Sequence, residues 1–372
     1  MKKLKIIITL LVPFIIANCG SDPEPAGNAT NPSGPQNPNP NPNPNPNPDP
    51  NSWLIPSDDV FDGGPGKDGI PALESPNMVS ATEATFLSDN DLVIGYKFGD
   101  ETRAYPHLIL DWHEIVNDNI GVHSFAITYC PLTGTAINWS REINNTVTTF
   151  GVSGLLYNTN LIPYDRATDS NWSQMRMDCV NGVLIGSQVT VLSAVETTWK
   201  TWKEMFPDTK VMSLETGFNR NYGSYPYFTS QGDYRVEDYL IFPISNDDNR
   251  LSRKERVLGV INGGEVKAYR LNTFPDGVDV IEDLVGGEKI VVIGSDPDNF
   301  MVAFKINEEV FSPDDSGTGI IQDQNGNVYD VFGEIISGPN TGERLTPVTS
   351  FMGFWFSWAT FYPSVVIWWT NN

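Results

Sequence analysis

Apolar residues are distributed along the chain in three ways. Residues 6–17 form a nearly continuous apolar run behind Lys2, Lys3 and Lys5. Residues 20–52 are almost free of apolar side chains and include an Asn-Pro repeat over residues 37–50. From Trp53 onward, short alternating apolar stretches recur, with the period of half-buried strands. Val93-Ile94-Gly95-Tyr96-Lys97-Phe98 and Glu101-Thr102-Arg103-Ala104-Tyr105 predict a hairpin about a Gly-Asp turn. Residues 124–128 predict a buried strand that ends at the turn Cys130-Pro131-Leu132-Thr133-Gly134. Trp112, Ile115 and Val116 predict a helix that carries His113 and leads directly into that strand.

The pattern then repeats. Val257-Leu258-Gly259-Val260-Ile261-Asn262-Gly263-Gly264-Glu265-Val266-Lys267-Ala268-Tyr269 matches the first hairpin, and residues 289–293 match the strand over 124–128. Trp199-Lys200-Thr201-Trp202, followed by Phe206-Pro207, matches Trp355-Phe356-Ser357-Trp358, followed by Tyr362-Pro363. Tryptophans three apart share a helix face, and the spacing places them in the core. The fold class expected is α+β, a strand-rich body of two duplicated, pseudo-symmetric halves. The first half spans residues 53–215 and the second 251–372. Residues 216–250, rich in Tyr, Gly, Asn and Asp, read as the connection.

The N-terminus reads as a lipoprotein signal peptide over residues 1–19. Its apolar run is too short to span a bilayer, which takes about 20 residues. Ile16-Ala17-Asn18-Cys19 resembles a lipobox, so Cys19 is the expected lipidation site and the membrane an expected partner. Residues 20–52 read as a disordered Pro/Asn-rich tether. The expected location is the bacterial cell envelope, with the chain lipid-anchored at the outer membrane and facing the periplasm or the exterior. The formal charge of −23 argues against nucleic acid as a partner.

All three histidines and both cysteines beyond Cys19 fall between His107 and Cys179. At the matching positions the second half has Leu271 for His107, Val278 for His113 and Ser295 for Cys130. The repeated pattern thus persists without these side chains, which directs any chemistry to the first half. The candidates are His113, Cys130 and Glu114, with His107 as a further ligand and Trp112, Asp165, Arg166 and Trp172 in support. His123, just before a strand, reads as solvent-facing. Asp323-Gln324-Asn325-Gly326-Asn327 has only part of a calcium-loop pattern and reads as a turn.

Ala104-Tyr105-Pro106, Trp112-His113-Glu114-Ile115-Val116-Asn117-Asp118, Tyr129-Cys130-Pro131-Leu132-Thr133-Gly134-Thr135-Ala136, Phe150-Gly151-Val152-Ser153-Gly154-Leu155-Leu156-Tyr157-Asn158 and Tyr164-Asp165-Arg166 together resemble the bacterial domain-of-unknown-function family DUF3179. The resemblance covers nearly the whole body, including Phe354-Trp355-Phe356-Ser357-Trp358, and implies no activity. Some members of that family have a second cysteine where this chain has Thr133, which argues against a dithiol redox role here.

Three readings of the first-half residues stay open. In one, the body binds a ligand or a metal, with His113, Cys130 and His107 holding copper or zinc. In another, Cys130 is a nucleophile, His113 its base, and Glu114 or Asp111 orients the imidazole. In the third, the body is a non-catalytic binding or scaffold module in which Cys130 is buried or bonded to Cys179. Both chemical readings require His113 and Cys130 to lie within about 2–4 Å of each other.

Overall fold

The computed structural model describes residues 51–369. The signal-like run, Cys19 and the tether through Pro50 lie outside the described residues. Among the described residues, no helix is long and apolar enough to cross a membrane. The body is α+β and strand-rich.

Strands β1 (Leu92–Phe98) and β2 (Glu101–Pro106) form the first hairpin. Gly99 takes φ +58° at the first position of its two-residue turn, a conformation that glycine adopts without steric cost. Helix α1 (His107–His113) follows, then a meander of β3 (Ile115–Ile120), β4 (His123–Cys130) and β5 (Thr135–Ser140). Strands β6 (Phe150–Tyr157) and β7 (Asn160–Asp165) pair beyond it. Strand β8 (Val195–Thr198) returns to pair with β1 and runs into helix α2 (Trp199–Met205). The Thr198 hydroxyl accepts the Thr201 N–H and caps that helix.

Residues beyond 250 carry a similar order of strands. Strands β9 (Arg256–Asn262) and β10 (Glu265–Arg270) form a hairpin. A meander of β11 (Asp279–Val285), β12 (Glu288–Ser295) and β13 (Phe300–Lys305) follows. Strand β14 (Thr349–Phe354) pairs with β9 and runs into helix α3 (Trp355–Phe361). Both hairpins gain a parallel strand on their far side, Lys210–Met212 on β2 and Val366–Ile367 on β10.

Particular contacts recur too. Gly95 opposes Ala104 in β1–β2, as Gly259 opposes Ala268 in β9–β10. Trp202 lies over Gly95 and Trp358 over Gly259, both tryptophans fully buried. The Tyr105 hydroxyl donates to Asp118 at 2.6 Å, and the Tyr269 hydroxyl to Asp283 at 2.7 Å. A cation joins each pair, Arg103 in the first half and Lys267 in the second.

The helix expected around His113 differs from the one observed. It starts earlier, at His107, and ends at His113. Ile115 and Val116 belong to β3, so a full strand separates α1 from β4. Glu114 breaks the helix by taking φ +58°. Beyond it, residues 115–120 pair along their length with β4, and that ladder outweighs the weak apolar spacing that suggested a longer helix. In the second half, only the single 3-10 turn Leu271–Thr273 stands where α1 would be.

Candidate functional site

His113 and Cys130 do not meet. His113 Nδ1 lies 2.7 Å from the Pro71 carbonyl, which can only accept, so the proton sits on Nδ1. Nε2 is then the acceptor for the Tyr222 hydroxyl at 2.7 Å. Burial holds this imidazole below its usual pKa, which keeps the neutral tautomer in place. The Cys130 thiol instead donates to the Thr159 carbonyl at 3.7 Å. The intervening strand β3 separates α1 from β4, and His113 faces Pro71 and Tyr222 instead.

Cys130 and Cys179 are both buried free thiols, not a disulfide. Burial pushes Cys130 up to about 11 and Cys179 up to about 12. The Cys130 turn is held by a closed hydrogen-bond network. The Thr133 hydroxyl lies 2.8 Å from that of Thr135, Thr135 donates to Gln174 at 2.7 Å, and Asn160 donates to both Thr133 and Gln174. Thr133 therefore does polar structural work at the position where a second cysteine would stand.

Glu114 is the sequence candidate that acts on Cys130, since its charge, after burial, is one of the causes raising that thiol. Its carboxyl is buried and pushed up to about 7, and it accepts the Tyr227 hydroxyl at 3.0 Å. Among the described residues, no three His, Cys, Asp or Glu side chains form a group that could hold a metal. The set His113, Cys130 and His107 is thus not brought together as ligands.

The supporting residues separate as well. Asp165 accepts the Trp172 indole N–H at 3.1 Å and caps the turn at Thr168. Arg166 pairs with Glu74 and Asp68. These three secure the β6–β7 sheet. Trp112 donates its indole N–H to the Ser224 carbonyl at 3.1 Å and so holds the 216–250 segment against α1. His123 is half-buried, stacked 3.9 Å from Phe98 and bonded to the Tyr96 hydroxyl, rather than solvent-facing. The Asp323 carboxylate is satisfied by Asn325, Asn327 and Tyr329, which makes that loop a turn.

Five buried polar atoms that lack partners belong to residues gathered elsewhere, around a cleft of about 890 Å³. Helix α1 supplies His107 and Asp111, four residues apart and so on one face. Strand β4 adds Tyr129 and β8 adds Glu196. The 216–250 segment contributes Tyr222, Tyr225 and Arg235, and the second half contributes Lys254, Arg256 and Phe354. His107 Nε2, Asp111 Oδ1, Glu196 Oε2, Tyr225 Oη and Lys254 Nζ are all buried atoms of cleft-lining residues with no hydrogen-bond partner among the described residues.

Their electrostatics follow from that burial. His107 is pushed down to about 3 by burial and then by Arg256 and Arg235, so its ring is neutral. It rests against Tyr129, with ring centroids 4.5 Å apart, and its Nε2 stops 4.0 Å from Glu196. Burial pushes Asp111 up to about 8, so this carboxyl carries a proton at neutral pH. Glu196 is also raised by burial, although it pairs with Arg256 through its other oxygen. Arg235 is held by Asp233 and lies 4.1 Å over the Tyr225 ring. Lys254 is pushed down to about 7, mainly by burial.

The cleft is therefore not confined to the first half. Sequence reasoning found His107, and weighed Asp111 only as an orienter of His113, but missed Tyr129, Glu196, Tyr225 and Lys254. The available signals were the four-residue spacing of His107 and Asp111 and the run of tyrosines at 222, 225, 227, 234 and 239 in a segment read as a connection.

No curated protein and no solved structure matches the chain. Residues 67–365 match the family described as "Protein of unknown function (DUF3179)". That match spans α1, the Cys130 turn, the 216–250 segment and most of the second half, and the chain belongs to the DUF3179 family.

Proposed function

We propose that this protein is an exported, lipid-tethered binding protein whose body holds a small polar molecule in the cleft between α1, the 216–250 segment and Lys254. The observation that carries this reading is the gathering of five unpartnered buried polar groups in the walls of one cleft. Each such group costs about 1–3 kcal/mol when left unsatisfied. A fold tolerates that cost where another molecule completes the bonds. The volume of about 890 Å³ suits a small molecule. Neutral His107, protonated Asp111 and the Tyr225 hydroxyl offer donors and acceptors without a strong net charge.

A Cys130 nucleophile has less support. A nucleophilic thiol needs its thiolate form, and burial beside Glu114 moves Cys130 the opposite way. Copper or zinc binding has no assembled ligand set among the described residues. We also read the two halves as a duplication, on the support of their shared sheet order and their paired Gly–Trp and Tyr–Asp contacts.

A thermal-shift screen of monosaccharides, amino acids and short hydroxy acids tests the binding reading. At least one class is expected to raise Tm by several degrees, with the gain reduced in Asp111→Leu and Tyr225→Phe. Shifts that ignore both substitutions, or no shift in any class, would count against the cleft. The tether is tested separately. Cys19→Ser is expected to abolish lipid attachment and move the chain from the detergent phase to the aqueous phase. Unchanged partitioning of that variant would remove Cys19 as the anchor.

A further inference from the structure

Three basic side chains line the cleft, Arg235, Lys254 and Arg256. Two of them are occupied. Arg256 bonds Glu196 and Asn299 through its two terminal nitrogens. The Lys254 amine is enclosed, seated over the Tyr234 ring with Phe354 and Phe356 beside it. Arg235 differs, because its side chain is 50% exposed and so within reach of a solute. It is also held in place. Its backbone N–H donates to Asp233 at 2.9 Å, its Nε to the same carboxylate at 3.0 Å and its Nη2 at 2.6 Å. The guanidinium lies 4.1 Å over the Tyr225 ring. Among the described residues, no hydrogen bond or ion pair takes up its remaining nitrogen, Nη1. The charge of Arg235 acts on both His107 and Asp111 of α1, yet Arg235 and Asp111 form no ion pair. Both line the cleft, and neither satisfies the other.

We propose that the cleft binds a small organic carboxylate whose oxygen accepts from Arg235 Nη1. The proposal rests on the binding reading above and names the chemical class of its ligand. A guanidinium is planar and permanently charged, and its N–H groups match the geometry of a carboxylate. Asp233 and Tyr225 fix the plane of this one beforehand, so little side-chain freedom is lost when a ligand arrives. The open edge is a single nitrogen, and Asp233 already offsets part of its charge. Such an edge suits one negative charge. A phosphate, with nearly two, would also meet Asp91, Asp233 and Glu196 in the same cleft. Asp233 acts here as a positioning residue.

The test follows thermal unfolding of the full-length chain in detergent at pH 7, with ionic strength held equal by sodium chloride. The probes are acetate, lactate and benzoate, each beside its neutral amide, and inorganic phosphate. At least one carboxylate is expected to raise Tm with concentration, and its amide to bind at least about ten-fold more weakly. Arg235→Gln is expected to weaken that carboxylate by about ten-fold while leaving the ligand-free Tm nearly unchanged, since its ion pair is half-exposed. Amides that bind as well as the carboxylates overturn the proposal, and this comparison needs only the wild type. So does an unchanged carboxylate affinity in Arg235→Gln, a phosphate effect equal to that of the carboxylates, or no effect of any carboxylate. If the proposal fails while neutral sugars still raise Tm and lose that effect in Asp111→Leu and Tyr225→Phe, the cleft stands and only the carboxylate class is wrong. If no compound raises Tm, both readings fall together.

Discussion

Asp111→Asn is expected to be more stable than the wild type, by a margin that widens as pH rises from about 4 to about 8. Asp111 ionises near 3.8 when unfolded and near 8 when folded, because burial penalises its charged form. Between those values the folded state holds a proton that the unfolded state has released. Stability supplied by that proton is complete below about 4 and is lost progressively toward about 8. The slope for one group is about 1.4 kcal/mol per pH unit, so the total reaches several kcal/mol. Asparagine keeps the shape and cannot ionise, so the difference between variant and wild type isolates this single group. Glu114 adds a loss of the same sign between about 4.5 and about 7, and His107 acts oppositely as pH falls from 6.5 toward about 3. His107 is common to the two proteins and cancels in the difference, and Glu114 cancels apart from the effect of its charge on Asp111. Urea unfolding of each at pH 5, 6.5 and 8 measures it. A margin that is constant with pH would mean that Asp111 is ionised in the folded state. If the variant also binds less tightly while being more stable, Asp111 is retained for the ligand rather than for the fold.

The second large effect concerns packing. Gly95→Ala and Gly259→Ala are each expected to destabilise the protein by about 3 kcal/mol or more. A Cβ at Gly95 would lie 2.1 Å from the Trp202 ring, and one at Gly259 would lie 2.3 Å from Trp358. Neither tryptophan has room to yield, since both are fully buried and rigid. Neither glycine has a positive φ, so the cost is steric and not conformational. Gly99→Ala provides the contrast: no atom lies within 4 Å of its Cβ position, and only the φ of +58° resists the change. Thermal unfolding of the three variants should rank Gly99→Ala as the mildest by a clear margin. Equal losses at all three would show that the tryptophan contacts do not set the hairpin geometry.

The paired effects at Gly95 and Gly259 arise from a pattern that was legible in the chain itself. Strand alternation, the two Gly-containing turns and the Trp-x-x-Trp helices are local signals, repeated once, and local sterics largely decide them. The burial of Trp199, Trp202, Trp355 and Trp358 followed from the same spacing. Membership of the DUF3179 family was also legible, because its motifs are contiguous runs such as Tyr129-Cys130-Pro131-Leu132-Thr133-Gly134.

The site was not legible in the same way. His113 and Cys130 stand close in sequence, yet β3 lies between α1 and β4 and sends the imidazole to Pro71 and Tyr222. One residue at positive φ, Glu114, ends the helix there. Nothing in the apolar spacing marks that break, because Ile115 and Val116 suit a helix face as well as a strand. Periodicity ranks positions by their neighbours along one element. The cleft draws instead on α1, β4, β8, the 216–250 segment and Lys254, which are distant in the chain and become neighbours only when the sheets pack. Whether a buried carboxyl or amine finds a partner depends on which foreign element faces it. Asp118 gained Arg103 and Tyr105 and became structural. Asp111 Oδ1 and Lys254 Nζ gained no partner. Sequence alone determined the strand-rich frame, and tertiary packing alone decided which polar groups were left open within it.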